Sequence, residues 1–459
     1  MLSTKTQEAT QNRILPPGEV AKTLKPMGRL ASPYGLVSKV SQLPITEGEP
    51  RFPIYSASLG NPGEALDVQA GWDHDAMSGN FDGAGGALDR ATAAHISVAE
   101  SLERYSSTSW DPQELVWATA EEMGDDGIPP AAWPTCSAQE LAHPRCGLIP
   151  SDPRIPLRWV KGWSLTESRP KYVPAVSTYL RFPPESSSER YTHPVSTGCA
   201  AHLDPVAAVE NGLLEVVERD SIALTWLQKM RLPELEVSAA DISPEYQEFW
   251  ERGQSSTVRT RFFDATTDLG IPVIYGVQLA DDDAVLSQVV AATCDPDPHK
   301  AVAKLLREAA SLRIALRSLS APGRRSDEDP EDTLSVIGGA LLAGPPEKRP
   351  LFDFLLEGER PRRSLNELPR FTQKGPALPH LVEKFKAKGF DVVVVDMTTD
   401  EAREVGACVV RVLVPQLMPL SFAHRARYLG HPRLYEAPQA MGLQVHSEPE
   451  INPHPQPFA

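Results

Sequence analysis

Apolar residues recur at helical spacing in several stretches and as alternating or continuous runs in others, so the chain reads as a mixed α+β protein. Between Arg90 and Tyr105, the residues Ala91, Ala94, Val98, Leu102 and Tyr105 form one stripe, while Ile96, Glu100 and Glu103 fall on a different face. A second helix is predicted to open at Asp204-Pro205, because Asp can cap free backbone N–H groups and Pro suits the first helical position. Along it, Asn211, Glu215, Glu218 and Thr225 make a narrow polar stripe. Val206, Val209, Leu213, Val216, Val217, Leu224 and Leu227 lie mostly opposite. Asp297-Pro298 repeats the same start ahead of Glu308 and Arg313, and Leu232 to Trp250 also reads as helical. Strands are predicted within Trp159 to Leu180, with Val173 to Val176 buried, and over Val258–Phe263, Val273–Leu279, Asp391–Asp396 and Val409–Pro415.

The connecting stretches are less informative. Residues 1–30 read as a loosely ordered polar arm, and Ser32 to Val37 as a turn entering a strand. The glycine-rich run from Asp82 to Ala87, ahead of Asp89 as a helix cap, reads as a plain turn or as a phosphate cradle. Residues 110–157, rich in Pro, Trp and acids, read as surface connections, and Arg324 to Asp332 as a solvated charged loop. In the last nine residues alternating prolines favour a stiff extended segment, either a plain tail or an element able to enter a cleft.

Composition narrows the classes. A chain of 459 residues, 41% hydrophobic and 23% charged, is a globular protein of one large domain or two subdomains. Its formal charge of −16 argues against a broad nucleic-acid or anionic-membrane surface. The start of the chain lacks a signal-peptide profile and no apolar run approaches bilayer length, which predicts a cytoplasmic protein. The five cysteines show neither CxxC nor zinc spacing and read as ordinary thiols. The histidines are scattered, and His202 and His454 are only weak candidates for proton transfer.

The main chemical signal is a repeated spacing. Glu100, Glu103, Arg104 and Ser106 on one helix match Glu215, Glu218, Arg219 and Ser221 on another. Solvated, two such acids repel by only about 0.2–0.5 kcal/mol, so a water-facing surface is one reading. If the two helices face each other, four carboxylates need cations between them, and Mg2+ bridging to nucleotide phosphates is the other reading. Arg104, Arg219 and Arg313 would then meet phosphate.

With these motifs, the Ser196 to Asp220 block, the Glu308–Arg313 helix and the Pro-x-Pro-x-Pro ending, the chain from about Ser32 onward resembles the YcaO superfamily, which activates peptide amides with ATP. The resemblance implies Mg2+ held by Glu100, Glu103, Glu215 and Glu218, and nucleotide contacts from Ser32, Arg104, Ser196, Arg219 and Arg313. It also implies a catalytic domain over 31–450, and a 451–459 tail that brings Pro453, Pro455 and Pro457 to the active site. The implied reaction is cyclodehydration of a ribosomal precursor peptide. A Cys, Ser or Thr side chain attacks the preceding amide, ATP phosphorylates its oxygen, and phosphate leaves an azoline. Departures such as Ile96 for a usual Ser, no lysine at Gly85-Gly86-Ala87, Thr197 for Asn and Ser311 for Gln point to a divergent subgroup. Amidine or thioamide formation is therefore an alternative, as is a non-catalytic scaffold that binds a peptide or partner. The chain length leaves no room for a fused leader-binding module, so a separate partner protein is expected, and a homodimer is compatible with the sequence.

Overall fold

The computed structural model describes residues 13–14, 26–33, 35–59, 82–320, 337–371 and 377–458. The charged run 324–332 and most of the 1–30 arm lie outside the described residues. Three sheets carry the chain. The first is antiparallel, in the order β1 (Arg13–Ile14), β2 (Lys39–Gln42), β3 (Ile54–Ser58), β4 (Gly83–Gly86). The second contains β5 (Val116–Ala118), β6 (Leu157–Ser164), β7 (Arg169–Pro174), β8 (Cys199–His202), β14 (Val393–Asp396) and β15 (Cys408–Leu413). Its order is β5-β6-β14-β15-β8, with β7 pairing β6. The third, in the order β12-β11-β10-β9-β13, contains β9 (Glu234–Glu236), β10 (Arg259–Asp264), β11 (Val273–Leu279), β12 (Gln288–Cys294) and β13 (Arg362–Ser364).

Three long helices pack on these sheets. Helix α1 (Arg90–Ser107) starts where Asp89 accepts from Thr92 N, and helix α2 (Pro205–Leu227) where Asp204 accepts from Val206 N. Helix α3 (Pro298–Leu319) is capped in the same way by Asp297 through His299 N. The aspartate-started helices thus form where the sequence predicts, each with an orphan N–H satisfied by its cap. Helix α1 shares a core with Cys199, Val409 and Leu413, whereas α2 shares one with Ala200, Val410 and Val412. Alternation along β8 and β15 therefore places the two acidic helices on opposite faces of the second sheet.

Four expectations are corrected. Residues 13–14 pair with Ser41 and Gln42, and Met27 and Leu30 are buried, so these parts of the arm belong to the fold. Gly83–Gly86 is a strand, not a turn or a phosphate loop; a Cβ on Gly85 would stand 2.1 Å from Ala93 O, so the glycine lets β4 press against α1. Leu232 to Trp250 is not one helix: Pro233 and Pro244 interrupt it, and it contains β9 and two 3-10 turns before a short helix, Gln247–Gly253. The 110–157 stretch is more than surface connection, since Ile128, Trp133, Cys146 and Leu148 are buried. Among the described residues, no helix is long and apolar enough to cross a membrane, and all five cysteines are free.

Candidate active site

Three edge strands converge on the acidic helices. The outer backbone groups of an edge strand have no strand partner, and here they hold carboxylates instead. Ala84 N on β4 donates to Glu100 Oε2 at 2.8 Å. Gly198 N, just before β8, donates to Glu215 Oε2 at 2.9 Å, and Cys294 N at the end of β12 donates to Glu218 Oε2 at 2.9 Å. Gly198 has φ +88, and a Cβ there would lie 2.1 Å from Val412 O, so only glycine lets this turn present its N–H.

The other carboxylate oxygens face arginine. Arg104 pairs with Glu100 at 2.7 Å, and Arg219 reaches Glu215 at 3.3 Å and Glu218 at 3.5 Å. Glu103 is different: among the described residues its carboxyl accepts no hydrogen bond, and its neighbours include two other acids. Burial, then Glu215 and Glu100, push it well above the ordinary carboxylate range despite Arg104 and Arg411. Because Glu103 on α1 feels Glu215 on α2, the structure brings the two acidic helices together around the start of β8.

Helix α3 adds a third side. Burial raises the Glu218 carboxyl to about 7, with Glu308 adding to the rise against the opposing pull of Arg219 and Lys304. Lys304 Nζ donates to Cys294 O at 3.0 Å, so residue 294 holds an acid through its N–H and a base through its C=O. Burial favours the neutral amine of Lys304, but Glu308, Glu218 and Asp295 outweigh it and keep the group charged. Lys304 and Glu308 are one helical turn apart, and that i, i+4 pair was the available signal for a cation the sequence reading left out.

Arg313 is placed elsewhere. Five positions beyond Glu308 lies about 140° round a helix. The Arg313 guanidinium is buried against Glu49 and Asp283, each at 3.2 Å, and donates to Leu286 O. Burial alone would raise Asp283, but Leu286 N–H, the Arg317 guanidinium and Val285 N–H hold it down at about 2, below its ordinary 3.8. A depressed acid adds stability above its unfolded value and loses it as pH falls through the folded one. Asp283→Asn should therefore cost about 2 kcal/mol in urea unfolding at pH 7, with the gap to wild type closing as pH falls from 3.8 towards 2. A constant gap over that window would refute the assignment.

Ser196 lies in the turn that presents Gly198, and Ser32 in the turn before β2, where its backbone closes on Val37 and Gly35. The proline tail is not a free end. Asn452 N donates to Leu227 O, Trp226 Nε1 donates to His454 O, and the Phe458 ring meets Tyr275 edge-on at 5.3 Å. Pro453 is exposed, Pro455 half-buried and Pro457 buried. Tyr275 pairs with Ala292, two residues along β12 from Cys294, so the end of the tail approaches the strand that carries the partner of Glu218.

An α+β fold in which carboxylates and cations, most of them partly buried, gather at the ends of edge strands is chemically suited to hold a metal-bound polyphosphate. Residues 84–418 match the model of the YcaO family, described as a YcaO cyclodehydratase that binds ATP and Mg2+, and the chain belongs to that family. An uncharacterized protein in the tfuA 3' region of Rhizobium leguminosarum bv. trifolii is 31% identical over 233 residues, 48% of this chain and 52% of that protein. A heterocyclase in complex with substrate and cofactor superposes with TM-score 0.76 at 22% identity, over 99% of this chain and 60% of that one. The Methanopyrus kandleri YcaO bound with AMPPCP and Mg2+ gives 0.55 at 22%, over 81% and 84%. The chain thus spans only about half the length of the Rhizobium relative and three-fifths of the heterocyclase.

ATP and Mg2+ are the cofactors of the family. The residues present fit them: Glu103 is a half-buried carboxyl that accepts no hydrogen bond among the described residues, and its acidic neighbours Glu215 and Glu100 are oxygen donors of the kind Mg2+ prefers. Among the described residues, no three His, Cys, Asp or Glu side chains close tightly enough to hold an ion alone. That suits Mg2+, which keeps water and phosphate oxygens in its shell and takes one or two carboxylates from protein.

Proposed function

We propose that this protein is an ATP-dependent cyclodehydratase that forms thiazoline or oxazoline rings in a ribosomally made precursor peptide. The observation that carries this reading is the three-strand clamp. Ala84, Gly198 and Cys294 each fix one oxygen of Glu100, Glu215 and Glu218, which leaves the second oxygens and the whole Glu103 carboxyl to a cation. Bound with Mg2+, ATP supplies the phosphoryl group that makes an amide oxygen able to leave. Glu100, Glu103, Glu215 and Glu218 hold the metal, with Glu308 beside them. Arg104 and Arg219 take phosphate oxygens, because each now spends its donors on carboxylates that the metal would neutralise. Ser196 sits on the turn that presents Gly198 to Glu215, Ser32 on the turn before β2 completes the nucleotide contacts in this reading, and Arg313 would have to leave Glu49 and Asp283 to join them.

The same reading assigns the catalytic domain to 31–450 and sets Pro453, Pro455 and Pro457 on the substrate side, held stiff by their own rings. It places the protein in the cytoplasm, working with a separate leader-binding partner. The heterocyclase whose fold this chain shares was captured with its substrate, and the same fold occurs in the E. coli microcin synthetase McbBCD complex. Incubation of the full chain with Mg2+, ATP, a candidate precursor and its neighbouring gene products should give a product lighter by whole waters. A product that gains mass by exchange of oxygen for sulfur would move the assignment to thioamide formation. ATP binding without any peptide change across such partners would favour the scaffold.

A further inference from the structure

Arg411 is an arginine in a valine strand. It is 3% exposed, on β15 between Val410 and Val412, and its side chain points to the α1 face of the sheet. A buried guanidinium ordinarily has a carboxylate to neutralise it. Among the described residues none lies within ion-pairing distance of this one: Nη1 donates to Cys199 Sγ at 3.1 Å, Nη2 to Ser177 O at a long 3.4 Å, and Nε has no partner. The contrast with the rest of the molecule is sharp, since buried Arg158, Arg313 and Arg433 all hold carboxylates.

Arg411 also lines a cavity of about 70 Å3, together with Ser177, His193, Thr197, Pro194 and Pro415. Among the described residues the buried His193 Nε2 atom has no partner there either. Burial lowers the His193 imidazole, so the ring stays neutral and Arg411 is the charge in the cavity. Thr197 adjoins Gly198, the clamp for Glu215, and Arg411 is close enough to Glu103 to act on its charge. The cavity therefore opens beside the carboxylates. It is too small for a nucleotide, and Pro134, Pro194, Pro415 and Pro419 make part of its wall stiff. A single planar group with an electron-rich oxygen fits it.

We propose that the Arg411 cavity is the subsite for the carbonyl oxygen of the peptide bond being activated, held by the guanidinium fork with His193 as a second polar contact. This deepens the reading above, on which it rests for the identity of the substrate. The geometry gives it its reason: an amide oxygen gains negative charge when its carbon is attacked, and a fixed, desolvated cation stabilises that charge without reorganising. Arg411 is thus a substrate-binding residue, distinct from Arg104 and Arg219, which face the carboxylates.

Formate, a planar oxygen anion of three heavy atoms, is the probe. Titration of 13C-formate with the full-length protein, read as NMR line broadening, should show millimolar binding by wild type. Arg411→Met should bind at least tenfold more weakly, and Arg411→Lys, which keeps the charge but not the fork, should fall between. Thermal melts confirm that each variant is folded, and Arg411→Lys serves if the Met variant is not. Equal broadening by wild type and variants, or none by wild type, overturns the subsite. Calorimetry of Mg2+ and ATP on the same wild-type sample separates the two ideas. Nucleotide binding without formate binding rejects only the subsite, whereas formate binding at Arg411 without nucleotide binding rejects the proposed reaction.

Discussion

Replacing Glu218 by Gln is expected to weaken Mg2+-dependent ATP binding at least about tenfold and, at the same time, to make the metal-free protein more stable. Both effects come from one carboxyl. Glu218 is buried, its Oε2 is fixed by Cys294 N, and burial lifts its pKa from 4.5 to about 7. An acid whose folded value is raised leaves the fold most favoured below its unfolded value, and stability is lost as pH rises through the window from 4.5 to about 7. At pH 8 the ionised group is therefore held at a cost of order 1–3 kcal/mol, which a neutral amide of the same shape removes while still accepting from Cys294 N. Calorimetry should show ATP affinity falling by at least about tenfold, the low end for disturbed metal sites. Chemical denaturation at pH 8 without metal should show a higher midpoint. Wild-type ATP affinity in the variant would remove Glu218 from the site, and a lower midpoint would contradict the electrostatic account.

Two residues further along the same helix, Asp220→Asn should do the opposite and unfold the protein readily. Two positions turn about 200° round the helix, so Asp220 leaves the site and enters the core. It is fully buried and accepts from Met418 N at 2.8 Å and from the Arg433 guanidinium at 2.7 and 3.0 Å, tying α2 to helix α4 (Arg433–Ala440). Removing one charge of such a pair leaves the other uncompensated, typically a loss of 3–5 kcal/mol. Asp268 also pairs with Arg433, at 2.8 Å, which places the effect at the lower end of that range. Urea unfolding with an unchanged slope and a clearly reduced midpoint is the expected result. A shift equivalent to less than about 1 kcal/mol would show that Asp268 alone satisfies Arg433.

Local signals were the legible ones. Asp89, Asp204 and Asp297 announce their helices because a cap acts within three residues, and the acid pairs are visible because helical spacing places them on one face. Strands dense in valine, such as β14 and β15, were equally clear. What the sequence hid depends on neighbours distant along the chain. The Gly83–Gly86 strand has almost no side chains to show an alternation, and it is a strand because β3 pairs with it and α1 leans on it. The apolar content of Leu232 to Trp250 suggested a helix, but Pro233 and Pro244 decide the backbone. Arg313 looked available for phosphate because nothing in the sequence links it to Glu49, 264 residues away. Arg411 left a trace that could have been followed, since a lone charge inside Val409 to Leu413 conflicts with a buried strand.

The order β5-β6-β14-β15-β8 also bears on how the molecule comes into being. Strands β6 and β8 lie within 46 positions of each other, yet they are joined only through β14 and β15, which are synthesised some two hundred residues later. Until then β6 and β8 each present an open hydrogen-bonding edge, and the loop that positions Glu215 has no Val412 to rest on. Such long-range pairing is intrinsically slow, and exposed edges invite pairing with other chains in the interval. A nascent chain of this protein is therefore most prone to aggregation in the long interval after β8 emerges and before β15 closes the sheet, which is where chaperone protection would matter most.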